Sequence, residues 1–422
     1  MGKFLGYKCS LCGEEYQPGQ VTYTCPADGG NLDVVLDHGA ITKNTAISSI
    51  VHSADQSIWR YLPLIPVGKT FGEQTPMQFV GGTPMFLHPQ GKNFGVGQLL
   101  IKDESRNPTA SFKDRASAIV VTRAKELGME VVVTASTGNA GAALAGTSAA
   151  VGQRSIIFAP KSAPPAKIAQ LLVFGSQVIL VDGTYDDAFD LSVVAADEFG
   201  WYCRNTGYNP FTVEGKKTAA FEVWEYFYHQ QTAAGKPADV VSMQDVTVMV
   251  SVGDGNIISG IHKGFKDLLA LGWIDRVPRI IGVQSEKSAA VANAFHAKTE
   301  QIIPVKATTL ADSISVDLPR DGVRAVRAAS ETNGTYILVP DEEIVSAIAQ
   351  VGKYGIFCEP AGATAYAGFL KAVHGGMFNG QSKVVVFNTG SGLKDINTAM
   401  KSVTAAPIIE PTMQKLKQLL SR

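Results

Sequence analysis

Residues 107–115 read Asn-Pro-Thr-Ala-Ser-Phe-Lys-Asp-Arg, and Ser-Thr-Gly-Asn-Ala follows at residues 136–140, one predicted strand later. Pro108 restricts the turn that leads into Lys113. Beyond this lysine, apolar residues recur at positions 116, 119, 120 and 124, which is the spacing of one helix face. We therefore expect a helix that begins at Lys113, followed by a strand and a loop of small residues.

From residue 99 onward, β-rich segments alternate with helical ones. Strands are predicted at residues 130–135, 154–158, 177–181, 246–252, 279–284 and 383–387. Helices are predicted at residues 140–150, 166–174 and 185–199. Residues 231–239 carry Gly235 and Pro237, which predicts a surface connection. The alternation is the βαβ pattern of parallel sheets, so we expect an α/β fold.

The pairing of Lys113 with the small polar loop indicates a lysine that holds pyridoxal phosphate. Such a lysine must be fixed in place, and backbone N–H groups nearby must receive a substrate carboxylate. In the loop, Ser136, Thr137 and Asn139 are the predicted substrate-binding residues. The alternative interpretation of Lys113 is a surface lysine in a helix-entry loop.

A second loop follows a predicted strand and precedes a helical segment, so its backbone N–H groups could bind the cofactor's phosphate. Its residues are Gly253, Asp254, Gly255, Asn256 and Ile257. A dinucleotide site is the competing interpretation, since Glu286 lies near the end of the next strand. However, position 258 lacks the third glycine of the dinucleotide fingerprint. The Asp254 carboxylate should point away from a phosphate and cap the helix.

Near the end of the chain, residues 388–392 follow the last predicted strand and contain Thr389. Its hydroxyl could meet the pyridine nitrogen of the cofactor, and a neutral partner there suits elimination and replacement better than transamination. The alternative is a glycine turn that closes the strand. Glu359 begins another predicted helix, where it either lies beside the ring and transfers protons or is a carboxylate stabilised by the helix dipole.

Composition narrows the class of protein. The chain has 422 residues, is 45% hydrophobic and 18% charged, and carries a formal net charge of −1. This balance gives no electrostatic reason to expect nucleic acid or a membrane as partner, so we expect a small-molecule amino-acid substrate. Without a signal-peptide core or a long apolar run, and with an odd count of five cysteines, the expected location is cytoplasmic.

Three cysteines near the start form part of a predicted metal site. The residues are Cys9, Cys12, Cys25 and Asp28, and they resemble a zinc ribbon in which Asp28 replaces the fourth cysteine. Zinc accepts carboxylate oxygen as well as thiolate, so three cysteines and one aspartate could bind it. The alternative is a ribbon that has lost its metal and is held by packing alone.

Taken in order, these motifs resemble the threonine synthase family, which belongs to the pyridoxal-phosphate enzymes of the tryptophan synthase β type. The resemblance spans nearly the whole chain. It implies two parallel-sheet α/β domains with the cofactor in the cleft between them, preceded by a small zinc-ribbon-like segment. The expected boundaries are 1–36 for the ribbon, 37–105 with 215–422 for the large cofactor-binding domain, and 106–214 for the smaller domain. It also implies a homodimer.

The resemblance assigns roles to individual residues. Lys113 becomes the Schiff-base lysine, Asn139 lies beside the cofactor's 3-hydroxyl, and Thr389 lies at the ring nitrogen. The loop from Gly253 to Ile257 lies at the phosphate. The implied reaction converts O-phosphohomoserine and water to threonine and phosphate.

One departure from the family pattern concerns the substrate. Thr212 is a fourth predicted substrate-binding residue, and it stands where the family usually has an arginine that holds the substrate's phosphate. A threonine cannot supply that charge. The candidates to replace it are Arg106, Arg204, Lys216 and Lys217. Two other interpretations therefore stay open: an ammonia-lyase or β-replacement enzyme acting on a β-substituted amino acid, and a non-catalytic binding protein that keeps the fold.

Overall fold

The computed structural model describes residues 3–72, 74–163 and 165–421, which form thirteen strands and fifteen α-helices. The strands are β1 Phe4–Cys9, β2 Glu15–Tyr16, β3 Leu32–Leu36, β4 Met85–Leu87, β5 Gln98–Asp103, β6 Val131–Ala135, β7 Arg154–Pro160, β8 Gln177–Val181, β9 Tyr202–Cys203, β10 Val246–Ser251, β11 Arg279–Ser285, β12 Thr335–Val339 and β13 Lys383–Asn388. The helices are α1 His38–Asn44, α2 Ile47–Val51, α3 Lys113–Glu126, α4 Asn139–Ala150, α5 Pro165–Val173, α6 Tyr185–Phe199, α7 Phe211–Lys216, α8 Thr218–Ala233, α9 Asn256–Ala270, α10 Ala290–His296, α11 Gly322–Ser330, α12 Asp341–Gly352, α13 Pro360–His374, α14 Ile396–Met400 and α15 Met413–Leu420.

The strands form three sheets. The first is antiparallel, with the order β2-β1-β3, and contains the cysteine ribbon. The second has the order β12-β11-β10-β13-β5-β4 and is parallel except for the edge strand β4. The third is parallel throughout, with the order β8-β7-β6-β9. Two parallel sheets and a ribbon confirm the predicted fold class.

The central strands are mostly apolar and are buried along their whole length, because helices cover both faces of a parallel sheet. All six residues of β10 and all five of β6 are buried. Because parallel strands end at the same edge of a sheet, the loops after β6, β10 and β13 lie at the carboxyl edges, where α/β proteins usually bind ligands. These are the loops that carry the predicted site residues.

Most predicted elements differ from the observed ones by only one or two residues at an end. The predicted helix at residues 185–199 and the predicted strand at 177–181 match α6 and β8. The surface connection at residues 231–239 is wrong in part, because α8 continues to Ala233 and the left-handed Gly235 follows its end. The strands β4, β5, β9 and β12 of the two larger sheets are absent from the predicted set. No helix among the described residues combines the length and apolar character that crossing a bilayer requires.

Candidate active site

Lys113 is the first residue of α3, as the sequence predicts, and the turn before it is held by its neighbour. The Asp114 carboxylate accepts hydrogen bonds from the Thr109 N–H at 2.8 Å and the Thr109 hydroxyl at 2.6 Å. Ala110, inside this loop, has a φ of +65°, which is costly for a residue with a side chain. The local strain and the two hydrogen bonds fix where the lysine leaves the backbone.

A buried ionic network anchors the start of α3 to the rest of the protein. The Arg115 guanidinium lies 2.7 Å from Glu104 Oε2 and 2.7 Å from Glu222 Oε2. Lys102 donates to the same Glu222 oxygen at 2.7 Å. All four side chains are almost fully excluded from solvent. Nothing near Arg115 in the sequence indicates these partners, which come from β5, from the residue after it and from α8.

The end of β13 packs directly against the Lys113 turn. The Phe112 N–H donates to the Thr389 carbonyl at 2.9 Å, and the Ser391 N–H donates to the Ala110 carbonyl at 3.1 Å. Thr389 is buried, and the structure gives its hydroxyl no hydrogen-bond partner among the described residues. The large sheet thus brings Thr389 beside the lysine turn, with a free hydroxyl.

Glu359 and Asn139 meet across the cleft between the two parallel sheets. The Asn139 amide nitrogen lies 2.9 and 3.0 Å from the two carboxylate oxygens of Glu359. Gly390 has no space for a side chain, because a Cβ there would lie 2.4 Å from the Glu359 carboxylate. Glu359 precedes α13 without capping it through its side chain, so its carboxylate faces the cleft.

Burial shifts the pKa values of the central acid and base. Desolvation lowers the pKa of Lys113 to about 8, opposed by the negative charge of Glu359. Desolvation raises the pKa of Glu359, opposed by its hydrogen bond from Asn139 and by the charge of Lys113. A buried amine that loses its proton near pH 8 can act both as nucleophile and as base.

The loop after β6 offers free donors to an anion. Among the described residues, the N–H groups of Thr137, Asn139 and Ala140 have no acceptor, and that of Gly138 donates to the Ser136 hydroxyl at 3.2 Å. These N–H groups lie at the start of α4. The geometry suits a carboxylate, because a helix N-terminus favours negative charge.

The loop after β10 offers a second set of donors. The N–H groups from Gly253 to Ile257 have no acceptor among the described residues, and Gly255 takes a left-handed φ of +90°. Asp254 points away from this cradle, as expected, but it does not cap the helix: its carboxylate accepts the Arg320 N–H at 2.7 Å. Burial raises the pKa of Asp254 to about 6. Lys216 donates to the Asn256 side chain, which places a buried amine at the cradle.

Two polar contacts join residues that line the cleft, and the sequence predicts neither of them. Lys167 pairs with Asp312, and Lys394 donates to Gln170 at 2.9 Å. Both contacts link helix α5 to segments that lie more than 140 residues away in the sequence. Pairs so far apart are found only from the folded chain.

Thr212 differs from these groups because its polar atom is already hydrogen-bonded. Its side chain is fully buried in α7, and its hydroxyl donates to the Asn209 carbonyl at 2.7 Å. The hydroxyl is used within its own turn, so the prediction that Thr212 binds substrate gains no support from this placement.

The cysteine ribbon holds a compact set of candidate metal ligands. One ligand atom from each of Cys9, Cys12, Cys25 and Asp28 lies within 4.8 Å of all the others. Cys9 Sγ is 3.3 Å from Asp28 Oδ1, and Cys12 Sγ is 3.8 Å from Cys25 Sγ. In a tetrahedral zinc site with bonds of roughly 2.0–2.3 Å, the ligand atoms lie about 3.3–3.8 Å from one another, which agrees with these two distances. Both ligand pairs span turns that end in a left-handed glycine, Gly13 and Gly29.

Comparison with known proteins identifies the family. Residues 76–390 match the family described as pyridoxal-phosphate dependent enzyme. The threonine synthase of Methanocaldococcus jannaschii is 36% identical over 417 residues, 98% of either chain. That of Methanosarcina acetivorans is 32% identical over 419 residues, again 98% of either chain. Among solved structures, the processed form of threonine deaminase isoform 2 from Solanum lycopersicum shares the fold, with a TM-score of 0.63 at 22% identity over 80% of this chain and 96% of that chain.

The geometry fits the cofactor of this family, pyridoxal 5'-phosphate. Lys113 offers a buried amine of lowered pKa, and the loop after β10 offers free N–H groups with Lys216 beside them. The protein is a pyridoxal-phosphate-dependent lyase. With its family match, its relatives and its fold in agreement, the chain belongs to the threonine synthase family of pyridoxal-phosphate dependent enzymes.

Proposed function

We propose that this protein converts O-phosphohomoserine and water to threonine and phosphate. One observation carries the proposal: a single cleft unites Lys113 and two loops with unpaired N–H groups, one on each parallel sheet. A substrate with a carboxylate and a cofactor with a phosphate each find a separate set of donors. Relatives that bear the name threonine synthase support the reaction.

The residues divide the work as follows. The bound cofactor withdraws electrons from the substrate's α-carbon. The N–H groups of the loop 136–140 hold the substrate carboxylate, and the loop 253–257 holds the cofactor phosphate. Lys113, once released, moves protons at the α- and β-carbons, and Glu359 holds Asn139 in place across the cleft. The Thr389 hydroxyl would supply a neutral hydrogen-bond partner for the ring nitrogen of the bound cofactor.

A second candidate is an ammonia-lyase or β-replacement enzyme acting on a β-substituted amino acid. The observation that favours it is Thr212, whose hydroxyl is occupied within α7 and carries no charge for a phosphate. This enzyme would use the same lysine and the same carboxylate loop, and it would need no substrate phosphate.

The test is the release of inorganic phosphate from O-phosphohomoserine by the cofactor-loaded protein, with threonine measured in the same sample. Equal amounts of phosphate and threonine would establish the proposed reaction. If protein with an intact cofactor spectrum releases neither, the proposal fails, and ammonia release from serine, threonine and diaminopropionate would then be measured.

The lowered pKa of Lys113 predicts how cofactor attachment depends on pH. The neutral amine is the nucleophile, so a pKa near 8 means that attachment speeds up as pH rises through 8 and levels off above it. Stopped-flow absorbance after mixing cofactor with cofactor-free protein, across a pH series, would measure this. A rate that still climbs toward the ordinary lysine pKa of about 10.4 would contradict the burial of this amine.

We also propose that the ribbon binds a structural zinc ion. Metal analysis of the purified protein should find one zinc per chain, and Asp28→Ala should lower its occupancy, because a tetrahedral site loses a ligand. Asp28→Cys should keep it. Glu15→Ala, which removes an exposed carboxylate in the same sheet, is the matched control. Zinc-free protein with an unchanged unfolding temperature would sink the proposal.

We also propose that the protein is a homodimer and lies in the cytoplasm. The C-terminal helix α15 leaves Met413 and Leu420 exposed, apolar surface that a second copy could cover. The five cysteines are free, which suits a reducing compartment. Light scattering should give twice the mass of one chain, and a monomeric mass would exclude the dimer.

A further inference from the structure

The structure decides among the four cations that could replace the missing arginine. Arg106 is exposed, with 58% of its side chain accessible, and pairs with Asp103. Lys217 is buried between Glu214 and Asp267, so its charge is already neutralised. Lys216 is bound to Asn256 at the cradle proposed for the cofactor phosphate. Arg204 remains.

Arg204 is a fully buried cation that has no anionic partner among the described residues. Its Nε donates to the Ser117 hydroxyl at 3.1 Å and its Nη1 to the Thr206 hydroxyl at 2.6 Å. Nη2 has no hydrogen-bond partner among the described residues, although it is inaccessible to solvent. Only two of the five guanidinium donors are therefore used. A buried charge in this state is costly unless an anion joins it.

The charge of Arg204 acts on two lysines of the candidate active site. Its positive charge contributes to the lowered pKa of Lys113 and of Lys216. Desolvation lowers the pKa of Arg204 itself to about 10, opposed by more distant acids, among them Asp114 and Asp254. None of these carboxylates forms an ion pair with it in the described chain. The guanidinium of Arg204 therefore adds positive potential to the cleft, which favours a ligand with strong negative charge.

The backbone of Arg204 lies beside the strand that leads into the carboxylate loop. It follows β9, which pairs in parallel with β6, and its N–H donates to the Val133 carbonyl at 2.7 Å. The next residue, Asn205, accepts the Ala135 N–H at 2.8 Å, immediately before the carboxylate loop. Neighbouring strands lie about 4.8 Å apart. An amino acid with its carboxylate on that loop could therefore extend a distal group toward Arg204.

We propose that Arg204 binds the phosphate group of the substrate and thereby sets the preference for a phosphorylated amino acid. This inference rests on the proposed function, since it names the residue that selects that substrate. The cofactor phosphate keeps its own donors, the N–H groups from Gly253 to Ile257 and Lys216. Arg204 forms charge-assisted hydrogen bonds to the second phosphate through Nη2, the donor without a partner.

The experiment uses inorganic phosphate as a probe on the cofactor-loaded protein. Phosphate should raise the unfolding temperature of the wild type, because it binds the folded state. Arg204→Met should lose this stabilisation, Arg204→Lys should keep part of it, and the exposed Arg106→Met should behave as wild type. The cofactor's Kd should change by less than about twofold in all three. If O-phosphohomoserine is turned over, its KM should rise on the order of 10- to 100-fold in Arg204→Met.

Two results would overturn the assignment. Phosphate that still stabilises Arg204→Met would show that another group binds it. A weakened cofactor Kd in Arg204→Met would assign the guanidinium to the cofactor's phosphate instead. The phosphate probe needs no turnover, so absence of threonine synthesis would refute the proposed function without touching this result. If Arg204→Met fails to fold, Arg204→Lys and Arg204→Gln give the same comparison.

Discussion

Lys113→Ala is expected to abolish the visible absorbance of the lysine-bound cofactor and to lower kcat by about 10³-fold or more. The alanine removes both the amine that attaches the cofactor and the base that moves protons. Burial lowers the pKa of this amine to about 8, so a larger fraction of it is neutral and reactive near neutral pH. Absorbance spectra of the purified variant and steady-state kinetics would measure the two effects separately.

The control for this prediction is Lys125→Ala, which removes a lysine from the same helix α3. Lys125 donates to the Val151 carbonyl, away from the cleft. Its loss should leave both the spectrum and kcat near wild-type values. A Lys113→Ala protein that keeps the absorbance of the lysine-bound cofactor would refute the assignment of this residue.

Arg115→Met is expected to lower the free energy of unfolding by about 3–5 kcal/mol. The substitution leaves Glu104 and Glu222 buried with Lys102 as their remaining cation. Both carboxylates have a pKa that Arg115 and Lys102 lower despite burial. Each depressed pKa gives stability above the unfolded pKa of about 4.3 that is lost as pH falls, and the variant should therefore lose most at neutral pH.

Urea unfolding monitored by tryptophan fluorescence would measure the difference, with Arg106→Met as control. Arg106 forms an exposed ion pair with Asp103, and such pairs contribute about 1 kcal/mol or less. Equal losses in the two variants would mean that the buried network contributes no more than an exposed ion pair does. Arg115→Lys should fall between them, because one ammonium cannot reach both carboxylates in the way that a guanidinium does.

The sequence predicts those features whose cause is local. The helix from Lys113, the loop 136–140 and the loop 253–257 follow from short periodicities and from glycines that permit left-handed backbone, as at Gly255. The order of strands and helices predicts parallel sheets because βαβ units have few solutions. Family and cofactor follow from the same motifs, and comparison confirms them.

Contacts between distant segments lay beyond the sequence. Residues 220 positions apart form the Asn139–Glu359 contact, and residues 107 positions apart form the Arg115–Glu222 pair. From the sequence, Glu359 could equally be a carboxylate that the dipole of α13 stabilises. The folded structure instead shows its carboxylate bound to Asn139 in the cleft.

The sequence by itself determined that this protein is an α/β pyridoxal-phosphate-dependent enzyme, because its motifs and its alternation of strands and helices depend on neighbours along the chain. Only the tertiary structure decided which of four cations is free to bind an anion. Whether a buried charge is neutralised depends on groups from other strands, and the same fold that pairs Lys217 with Asp267 leaves Arg204 without an anionic partner.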